Sequence, residues 1–500
     1  MEQLSGADNV SLLGEHGNVY NHVGVMMIYD VSTAPGGQVR FKDILRHFEN
    51  RLYLNPVFRR HLATTPFGLD RPYLVADTLI DVEYHIRHIA LPEPGDWRQL
   101  MIQIARLHSR PLDRTRPLWE VYVIEGLDNI PNLPKGAFAI FLKIHHAVVD
   151  GMAAIHLLTQ LHAQAPDQLD PISNRSIIDG DYNPSNYELL TRTLNNALAR
   201  VGKLARFSLD GSLRLLAAGK EQLGQLDKLN PATLLDPLKG LLPLRAPHTR
   251  FSNKVSGHRV MEGFGMPLSR IKRIRDKVPG SSLNDIFICV ASGAVRKYLS
   301  HKGELPEQSL ISLMPISLRT DASAGGNDVS GVQVKIRSDI ADPIERLRAV
   351  HHEARESKAK AEKLGLDMLK NLFEVMPGML VDPLMRALIL PSINLATSNV
   401  RGPDKPLYLA GAKAMCMYPV SIPADGAGLN FTGVSYNGVM WVSMVSCRKM
   451  LPDPGLMLAC MNESWNELLA AADKLPKAAA KDSTGPATRA VRRRNSRKDT

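Results

Sequence analysis

KIHHAVVDGM, residues 143–152, is the stretch that decides how this chain is interpreted. It places two adjacent histidines, His145 and His146, after the apolar run AFAIFLKI and follows them with Asp150 and Gly151. A neutral histidine takes a proton from a hydroxyl or thiol at working pH because imidazole titrates near pH 6.5. An aspartate in a tight turn closed by glycine holds a loop, either by capping backbone N–H groups or by pairing with a distant arginine. The stretch therefore predicts a general base next to a structural carboxylate.

The spacing of the two histidines predicts that they have different roles. Successive side chains of a β-strand point to opposite faces, so the apolar residues at the even positions of residues 138–144 share one face. His146 extends that face if the strand keeps its phase, whereas His145 falls with Lys143 on the other face. We therefore expect His146 to be the base and His145 to support the loop.

Other chemistries need residues that the pattern lacks. A zinc site would need histidines at helical i, i+4 spacing or further ligands nearby, and a Ser-His-Asp hydrolase would need a GxSxG elbow. The four cysteines are far apart and have no metal-ligand or CxxC spacing, so we expect reduced, buried thiols and no metal. A base without a protein nucleophile remains. This suits direct transfer of an acyl group from a thioester to an alcohol.

Most of the positive charge of the chain lies at its C-terminus. The formal net charge is +11, and residues 476–500 contain eight Lys and Arg against two Asp, which leaves +5 for the other residues. Tails of this kind are disordered and contact polyanions or anionic lipid surfaces. Because the body of the chain carries no recognition motif for nucleic acid, we expect no nucleic-acid partner. Neither a signal peptide nor a membrane-spanning run is visible, so we expect a cytoplasmic protein.

At 500 residues the chain is long enough for two domains. Residues 1–180 contain the strand patterns WEVYVIEGL and AFAIFLKI and a helix that begins at Gly151. Residues 251–475 contain a helix capped near Ser282, a strand in SLISLMPISLR, a hairpin with a two-residue turn at Asn437-Gly438 and a closing helix. Residues 476–500 form the basic tail.

Residues 181–250 are predicted to be a helical connector between the domains. Within it, residues 186–207 place one apolar stripe along a helix, made of Leu190, Leu194, Ala197, Val201 and Leu204. The stripe is expected to pack on the domains. The alternative is that the basic face of this helix lies on a membrane surface.

Several motifs together resemble a known enzyme family. HHAVVDG matches the HHxxxDG signature of the CoA-dependent acyltransferase superfamily, which includes chloramphenicol acetyltransferase and peptide-synthetase condensation domains. The remaining motifs resemble those of the bacterial wax ester synthase/acyl-CoA:diacylglycerol acyltransferase family, in the same order, over about residues 4–475. They are LSGADNVSLLGEHGNVYNHVG with Asp8 and Glu15, RPLWEVYVIEGL with Trp119, SLNDIFICVASGAVRKYL with Asn284 and Asp285, LMPISLR with Arg319, ADPIERL, SNVRGP with Ser398 and Asn399, PLYLAGAK and SYNG.

The chain also differs from the family pattern at a few positions. Proline is usual where Gly6 stands, a Pro-Met pair where Tyr20 and Asn21 stand, and proline is common where Arg401 stands. We expect these differences to lie in loops away from the histidine pair and to influence substrate preference.

The resemblance implies an α/β fold of two chloramphenicol-acetyltransferase-like domains with a tunnel between them. It also implies an O-acyltransferase that moves a fatty acyl group from acyl-CoA to a long-chain alcohol, giving a wax ester, or to diacylglycerol, giving triacylglycerol. His146 would remove the hydroxyl proton, no acyl-enzyme would form, and no cofactor would be needed because acyl-CoA is a substrate.

The resemblance also suggests roles for the other motif residues. Asn284 and Ser398 are candidate donors to the oxyanion, although each also fits a structural role near a helix start or in a turn. Trp119 is expected in the core or the tunnel wall. His145, Asp150, Gly151, Asp285, Arg319 and Asn399 are expected to shape the site.

Two other functions remain open from the sequence. A condensation-type acyltransferase would use another alcohol or an amine as acceptor, and a non-catalytic lipid-binding protein would tolerate loss of His146. Because the expected substrates dissolve in bilayers, we expect peripheral attachment to an anionic surface, either the inner membrane face or lipid droplets.

Overall fold

The computed structural model describes residues 1–78, 80–168, 180–197, 245–317, 329–364 and 390–476. Two six-stranded mixed sheets and one three-stranded sheet are flanked by helices, which confirms the expected α/β class. The strands are β1 Glu2–Gln3, β2 His22–Asp30, β3 Arg60–Ala63, β4 Tyr73–Ala76, β5 Ile86–Ala90, β6 Trp119–Glu125, β7 Phe138–His145, β8 Arg259–Pro267, β9 Ile311–Ser317, β10 Val329–Lys335, β11 Leu395–Arg401, β12 Tyr408–Leu409, β13 Ala412–Val420, β14 Leu429–Tyr436 and β15 Val439–Cys447. The helices are α1 Gly6–Leu13, α2 Phe41–Arg51, α3 Val82–His85, α4 Trp97–His108, α5 Gly151–Leu161, α6 Leu268–Lys277, α7 Leu283–His301, α8 Pro343–Leu364 and α9 Pro454–Lys474.

The first six-stranded sheet, of order β12-β13-β2-β7-β6-β5, carries the histidine pair at the end of β7. Every residue of β7 is buried, as suits a central strand covered on both faces. Strand β13 pairs antiparallel with β2, from Lys413 opposite Asp30 to Val420 opposite Gly24. Two strands that follow β11 in the chain therefore complete the sheet of the histidine pair.

The second six-stranded sheet has the order β10-β9-β11-β14-β15-β8. Strand β11 lies inside this sheet and runs parallel to both β9 and β14. Between β14 and β15, Asn437 and Gly438 have φ angles of 49° and 77°, and Tyr436 pairs with Val439. This confirms the two-residue turn predicted at Asn437-Gly438, because a type I′ turn needs positive φ at both central residues.

Two helix starts predicted from local sequence are also confirmed. Helix α7 follows the N-cap Ser282, whose side chain accepts a hydrogen bond from the backbone N–H of Asp285. The Ser282 backbone N–H in turn donates to the Asp285 carboxylate. This reciprocal pair is a capping box. Helix α5 begins at Gly151, as predicted.

The connector is only partly within the described residues, because residues 198–244 lie outside them. Residues 186–197 are helical and bury Leu189 and Thr193. The exposed fractions of Leu190 and Leu194 are 37% and 60%. The expectation that the apolar stripe packs on the domains is therefore wrong for these two leucines, because the helix is rotated so that Leu189 faces inward.

The predicted segment limits, residues 1–180, 181–250, 251–475 and 476–500, stay a prediction. Most of the connector and residues 477–500 of the tail lie outside the described residues. In the part of the chain that the structure describes, every helix is too short or too polar to cross a membrane.

Candidate active site

A cavity of about 300 Å³ lies where the two six-stranded sheets meet. Strands β2, β7 and β13 and helix α5 line it from the side of the first sheet, and β9, β11 and β14 line it from the second. Its walls are mainly apolar. The polar side chains in its lining include His146, Asp150, Ser398, Asn399 and Arg401.

The two histidines lie on opposite faces of the strand, as their spacing predicts. Leu142, Ile144 and His146 line the cavity. On the opposite face, Lys143 is fully buried, with its Nζ 2.9 Å from a carboxylate oxygen of Glu120. The His145 side chain is only 1% exposed and points the same way as Lys143, so one imidazole of the pair faces the cavity.

His145 connects the histidine loop to the N-terminal segment. Its Nδ1 accepts a hydrogen bond from the backbone N–H of Ala147 at 3.0 Å, so the ring proton is on Nε2. The Nε2–H group donates to the Glu15 carboxylate at 3.0 Å. Both ring nitrogens are therefore occupied in holding the loop.

Glu15 is a supporting residue to which the sequence had assigned no role. Burial alone would raise the pKa of Glu15, but hydrogen bonds from His145, Arg114 and the backbone N–H of Asn21 lower that pKa to about 2. Glu15 is therefore ionised at neutral pH, with its charge shared by several donors. The family's opening motif contains Glu15, so the sequence indicated that this residue matters. The motif did not show which side chain Glu15 would contact.

His146 is partly exposed, and its position in the cavity keeps its imidazole neutral. Burial lowers the pKa of His146 below its ordinary value, and the neighbouring His145 adds to this effect. The carboxylates of Asp150 and Asp8 oppose the shift without cancelling it. A neutral imidazole facing an apolar cavity can accept a proton.

The backbone of His146 also contacts a position where this chain differs from its family. The His146 N–H donates to the carbonyl oxygen of Asn21 at 2.8 Å, and the Asn21 N–H donates to Glu15. The expectation that the differences from the family pattern lie in loops away from the histidine pair is therefore wrong for Tyr20-Asn21. It is also wrong for Arg401, which ends strand β11 and lines the same cavity as His146. The peptide groups of residue 21 support both His146 and the partner of His145.

Asp150 and Gly151 place the start of α5 against the second sheet. Asp150 is the N-cap of α5, and its side chain accepts a hydrogen bond from the backbone N–H of Ala153 at 2.8 Å. Capping is thus one of the two roles expected of this carboxylate. A Cβ atom on Gly151 would lie 3.0 Å from Cγ2 of Val400 in β11. Glycine therefore permits the close approach of α5 to β11 at the cavity.

Comparisons with known proteins identify the family. The family model of the wax ester synthase/diacylglycerol acyltransferase catalytic domain matches residues 4–287, and that of the family's C-terminal domain matches residues 325–469. The chain belongs to the wax ester synthase/diacylglycerol acyltransferase family. A Mycobacterium tuberculosis H37Rv protein described as a probable diacylglycerol O-acyltransferase is 32% identical over 483 residues, covering 94% of this chain and 99% of the relative.

Solved structures extend the comparison to the fold. The wax ester synthase/diacylglycerol acyltransferase of Marinobacter aquaeolei VT8 superposes with a TM-score of 0.66 at 26% identity, covering 95% of this chain and 100% of that one. The first condensation domain of the CDA synthetase has a TM-score of 0.53 at 12% identity, covering 95% of this chain and 97% of the domain. The latter likeness concerns the fold alone.

The wax ester synthase/diacylglycerol acyltransferase motifs are only partly assembled at the cavity. Ser398 and Asn399, in the middle of β11, line it together with His146. Asn284 is not among its lining residues within the described chain, and its Nδ2 lies 3.2 Å from the Sδ of Met314. Of the two candidate oxyanion donors, only Ser398 therefore lies in the cavity wall.

The remaining motif residues lie away from the cavity or outside the described residues. Trp119 is buried in the core, where its Nε1–H donates to the Phe58 carbonyl at 2.9 Å, and it does not line the cavity. Asp285 caps α7 and lies 2.8 Å from Nδ1 of His351. Arg319 lies outside the described residues. Among the described residues, no group of three or more His, Cys, Asp or Glu side chains is arranged to hold a metal ion.

Proposed function

We propose that His146 is the general base of an O-acyl transfer from acyl-CoA to a long-chain alcohol or diacylglycerol. The observation that carries this proposal is the position of the His146 imidazole, which is partly exposed in the wall of an apolar cavity, where desolvation lowers its pKa. Membership of the wax ester synthase/diacylglycerol acyltransferase family supports the reaction class and both types of acceptor.

The proposed reaction needs no covalent enzyme intermediate. His146 takes the proton of the acceptor hydroxyl as the oxygen attacks the thioester carbonyl carbon. A tetrahedral oxyanion forms, the carbon–sulfur bond breaks, and the CoA thiolate takes the proton from the imidazolium. The products are an oxygen ester and free CoA, and the histidine returns to its neutral form.

Ser398 is the side chain we propose for stabilising the oxyanion. A hydrogen-bond donor that faces the position of the developing charge lowers the barrier of acyl transfer. Ser398 lines the same cavity as His146, whereas Asn284 does not. Ser398→Ala is therefore expected to reduce kcat by roughly a hundredfold to a thousandfold, the range seen when an oxyanion donor is removed.

The test is to incubate the purified protein with palmitoyl-CoA and either hexadecanol or a diacylglycerol. Free CoA and the ester product are measured together, so that transfer is distinguished from thioester hydrolysis. We expect equal amounts of CoA and ester with both acceptors. Transfer that persists at full rate in His146→Ala would rule out the proposed base.

We also propose that the protein attaches peripherally to an anionic membrane or lipid-droplet surface on the cytoplasmic side. Two observations support this: the exposed apolar residues Tyr187, Leu190 and Leu194 on the helical segment 186–197, and the net charge of the C-terminal residues. Apolar side chains enter the interface, and each basic residue near an anionic surface contributes about 1 kcal/mol.

Flotation with anionic liposomes tests this attachment. We expect binding at low salt that weakens sharply as salt is raised, because screening shortens the reach of the basic residues. The double variant Leu190→Ser/Leu194→Ser should bind less well than a Leu54→Ser control, which changes an exposed leucine elsewhere. Wild-type protein that stays unbound at low salt would contradict the proposal.

A further inference from the structure

A cleft that contains two cationic side chains lies beside the cavity. The cleft and the cavity share Met152, Ile155 and Arg401 in their linings. From these shared residues the cleft continues past Lys405 toward Gln164. The cleft therefore borders the cavity that contains His146.

Arg401 gives this edge of the cavity a positive charge. Among the described residues that line the cavity, it is the one whose side chain carries a permanent positive charge. Its side chain is 75% exposed, and Nη2 lies 3.0 Å from each carboxylate oxygen of Asp404. Lys405 adds a second cation to the cleft, where its Nζ contacts Gln164 at 3.4 Å.

The chemistry of an acyl-CoA thioester matches this arrangement. Its acyl chain is apolar and suits the cavity, and its thioester must lie near His146. Its nucleotide end carries several phosphate charges, which burial in an apolar cavity would penalise heavily. We infer that the cleft is the entrance for acyl-CoA and that Arg401 and Lys405 bind its phosphates. This inference rests on the proposed function, because it assumes an acyl-CoA donor.

The Asp404 carboxylate would compete with a substrate phosphate for the guanidinium of Arg401. An exposed ion pair between residues three apart contributes little energy, so a phosphate can displace the carboxylate from the guanidinium. Arginine also suits phosphate because its planar fork donates two parallel hydrogen bonds. Removing the charge of Asp404 should consequently strengthen binding of acyl-CoA, whereas removing that of Arg401 should weaken it.

The experiment compares two thioesters that differ only in the phosphorylated nucleotide. Decanoyl-CoA and decanoyl-pantetheine carry the same acyl chain and the same thioester arm, and 1-decanol serves as acceptor without lipid present. The variants are Arg401→Gln, Lys405→Gln and Asp404→Asn. Arg46→Gln is the matched control, because Arg46 is similarly exposed and also pairs with an aspartate three residues away.

We expect Arg401→Gln and Lys405→Gln each to raise the KM for decanoyl-CoA about threefold to tenfold, as for one cation at an exposed anionic site. The KM for decanoyl-pantetheine should stay within about twofold. Asp404→Asn should lower the KM for decanoyl-CoA, and Arg46→Gln should match the wild type. The effect of Arg401→Gln should shrink at high salt.

Three results would overturn the inference. The first is an unchanged KM for decanoyl-CoA in an active Arg401→Gln protein, and the second is an equal rise for both thioesters. The third is that Arg401→Gln weakens only binding to anionic liposomes, which would assign the cations to lipid headgroups. A wild-type protein that releases no thiol from either thioester would instead refute the proposed function, and this inference with it.

Discussion

His145 and Glu15 lie 130 residues apart in the chain, yet His145 Nε2 is 3.0 Å from a carboxylate oxygen of Glu15. This contact, together with the hydrogen bond from Ala147 N–H to His145 Nδ1, holds the histidine loop against the N-terminal segment. His146, the next residue, is left facing the cavity. His145 therefore supports the loop, and the adjacent His146 is available for the proposed chemistry.

The two histidines should respond differently to replacement by alanine. His146→Ala should lose at least about a hundredfold in kcat while its melting temperature stays close to that of the wild type, because general-base catalysis contributes roughly 10²–10⁴-fold. His145→Ala should keep partial activity and melt at a lower temperature, because it breaks the two hydrogen bonds of the His145 ring. CoA-release rates and thermal melts measured on both variants check this. A stable, inactive His145→Ala beside an active His146→Ala would reverse the assignment.

The rate should depend on pH with an acid limb below the ordinary histidine range. Burial lowers the pKa of His146, so the neutral base predominates at pH 7 and persists below the usual value near 6.5. The value of kcat/KM should be constant around neutrality and fall only when the pH drops through the lowered pKa. Initial rates between pH 4.5 and 8 at saturating acceptor give the profile. An acid limb centred above pH 6.5 would contradict the neutral-base arrangement.

Glu15 should make folding sensitive to acid. Its pKa falls from 4.5 to about 2 in the folded protein, so its contribution is fully present above pH 4.5 and is lost as the pH falls toward 2. A shift of this size corresponds to a free energy of unfolding on the order of 3 kcal/mol. Chemical denaturation of wild type and Glu15→Gln at pH 6 and pH 3 tests this. The wild type should lose more stability than the variant between the two pH values, and equal losses would assign the acid sensitivity elsewhere.

Replacing Gly151 by alanine should be unfavourable because the new methyl group would meet Val400. A second substitution at Val400 should remove that contact. The added Cβ would lie 3.0 Å from Cγ2 of Val400, so the valine side chain must move by a few tenths of an ångström, at a cost on the order of 1 kcal/mol. Gly151→Ala should therefore lower stability and kcat, and Gly151→Ala/Val400→Ala should recover part of both. Thermal melts and CoA-release rates of the two single variants and the double variant complete a double-mutant cycle. Simple addition of the two single effects would rule out the contact as the cause.

Preference for acceptor chain length should be graded. An apolar cavity distinguishes one methylene by only about 1–3 kcal/mol, and the proposed base interacts with the hydroxyl alone. Values of kcat/KM for 1-alkanols of increasing length should therefore change progressively, with activity on diacylglycerol as well. Activity confined to one alcohol length would contradict an open apolar cavity.

Sequence by itself determined the features that depend on neighbouring residues. The alternation along β7 predicted which histidine faces the cavity, Ser282 predicted the start of α7, and Asn437-Gly438 predicted the hairpin turn. Each of these follows from strand periodicity, helix capping or allowed backbone angles, which act over a few residues. The motifs, taken in their order along the chain, identified the family, and the family predicted the fold class.

Tertiary structure alone decided which distant segments meet at the cavity. Three contacts join residues from separate parts of the chain: the hydrogen bond from His145 to Glu15, the close approach of Val400 to Gly151, and the hydrogen bond from His146 N–H to Asn21. The same is true of β13, which pairs with β2 in the first sheet, and of the helix at residues 186–197, where Leu189 is buried and Leu194 exposed. Local periodicity marks an apolar face but does not say what will cover it. That choice is made by packing among elements far apart in the chain, whose pairing no short stretch of sequence encodes.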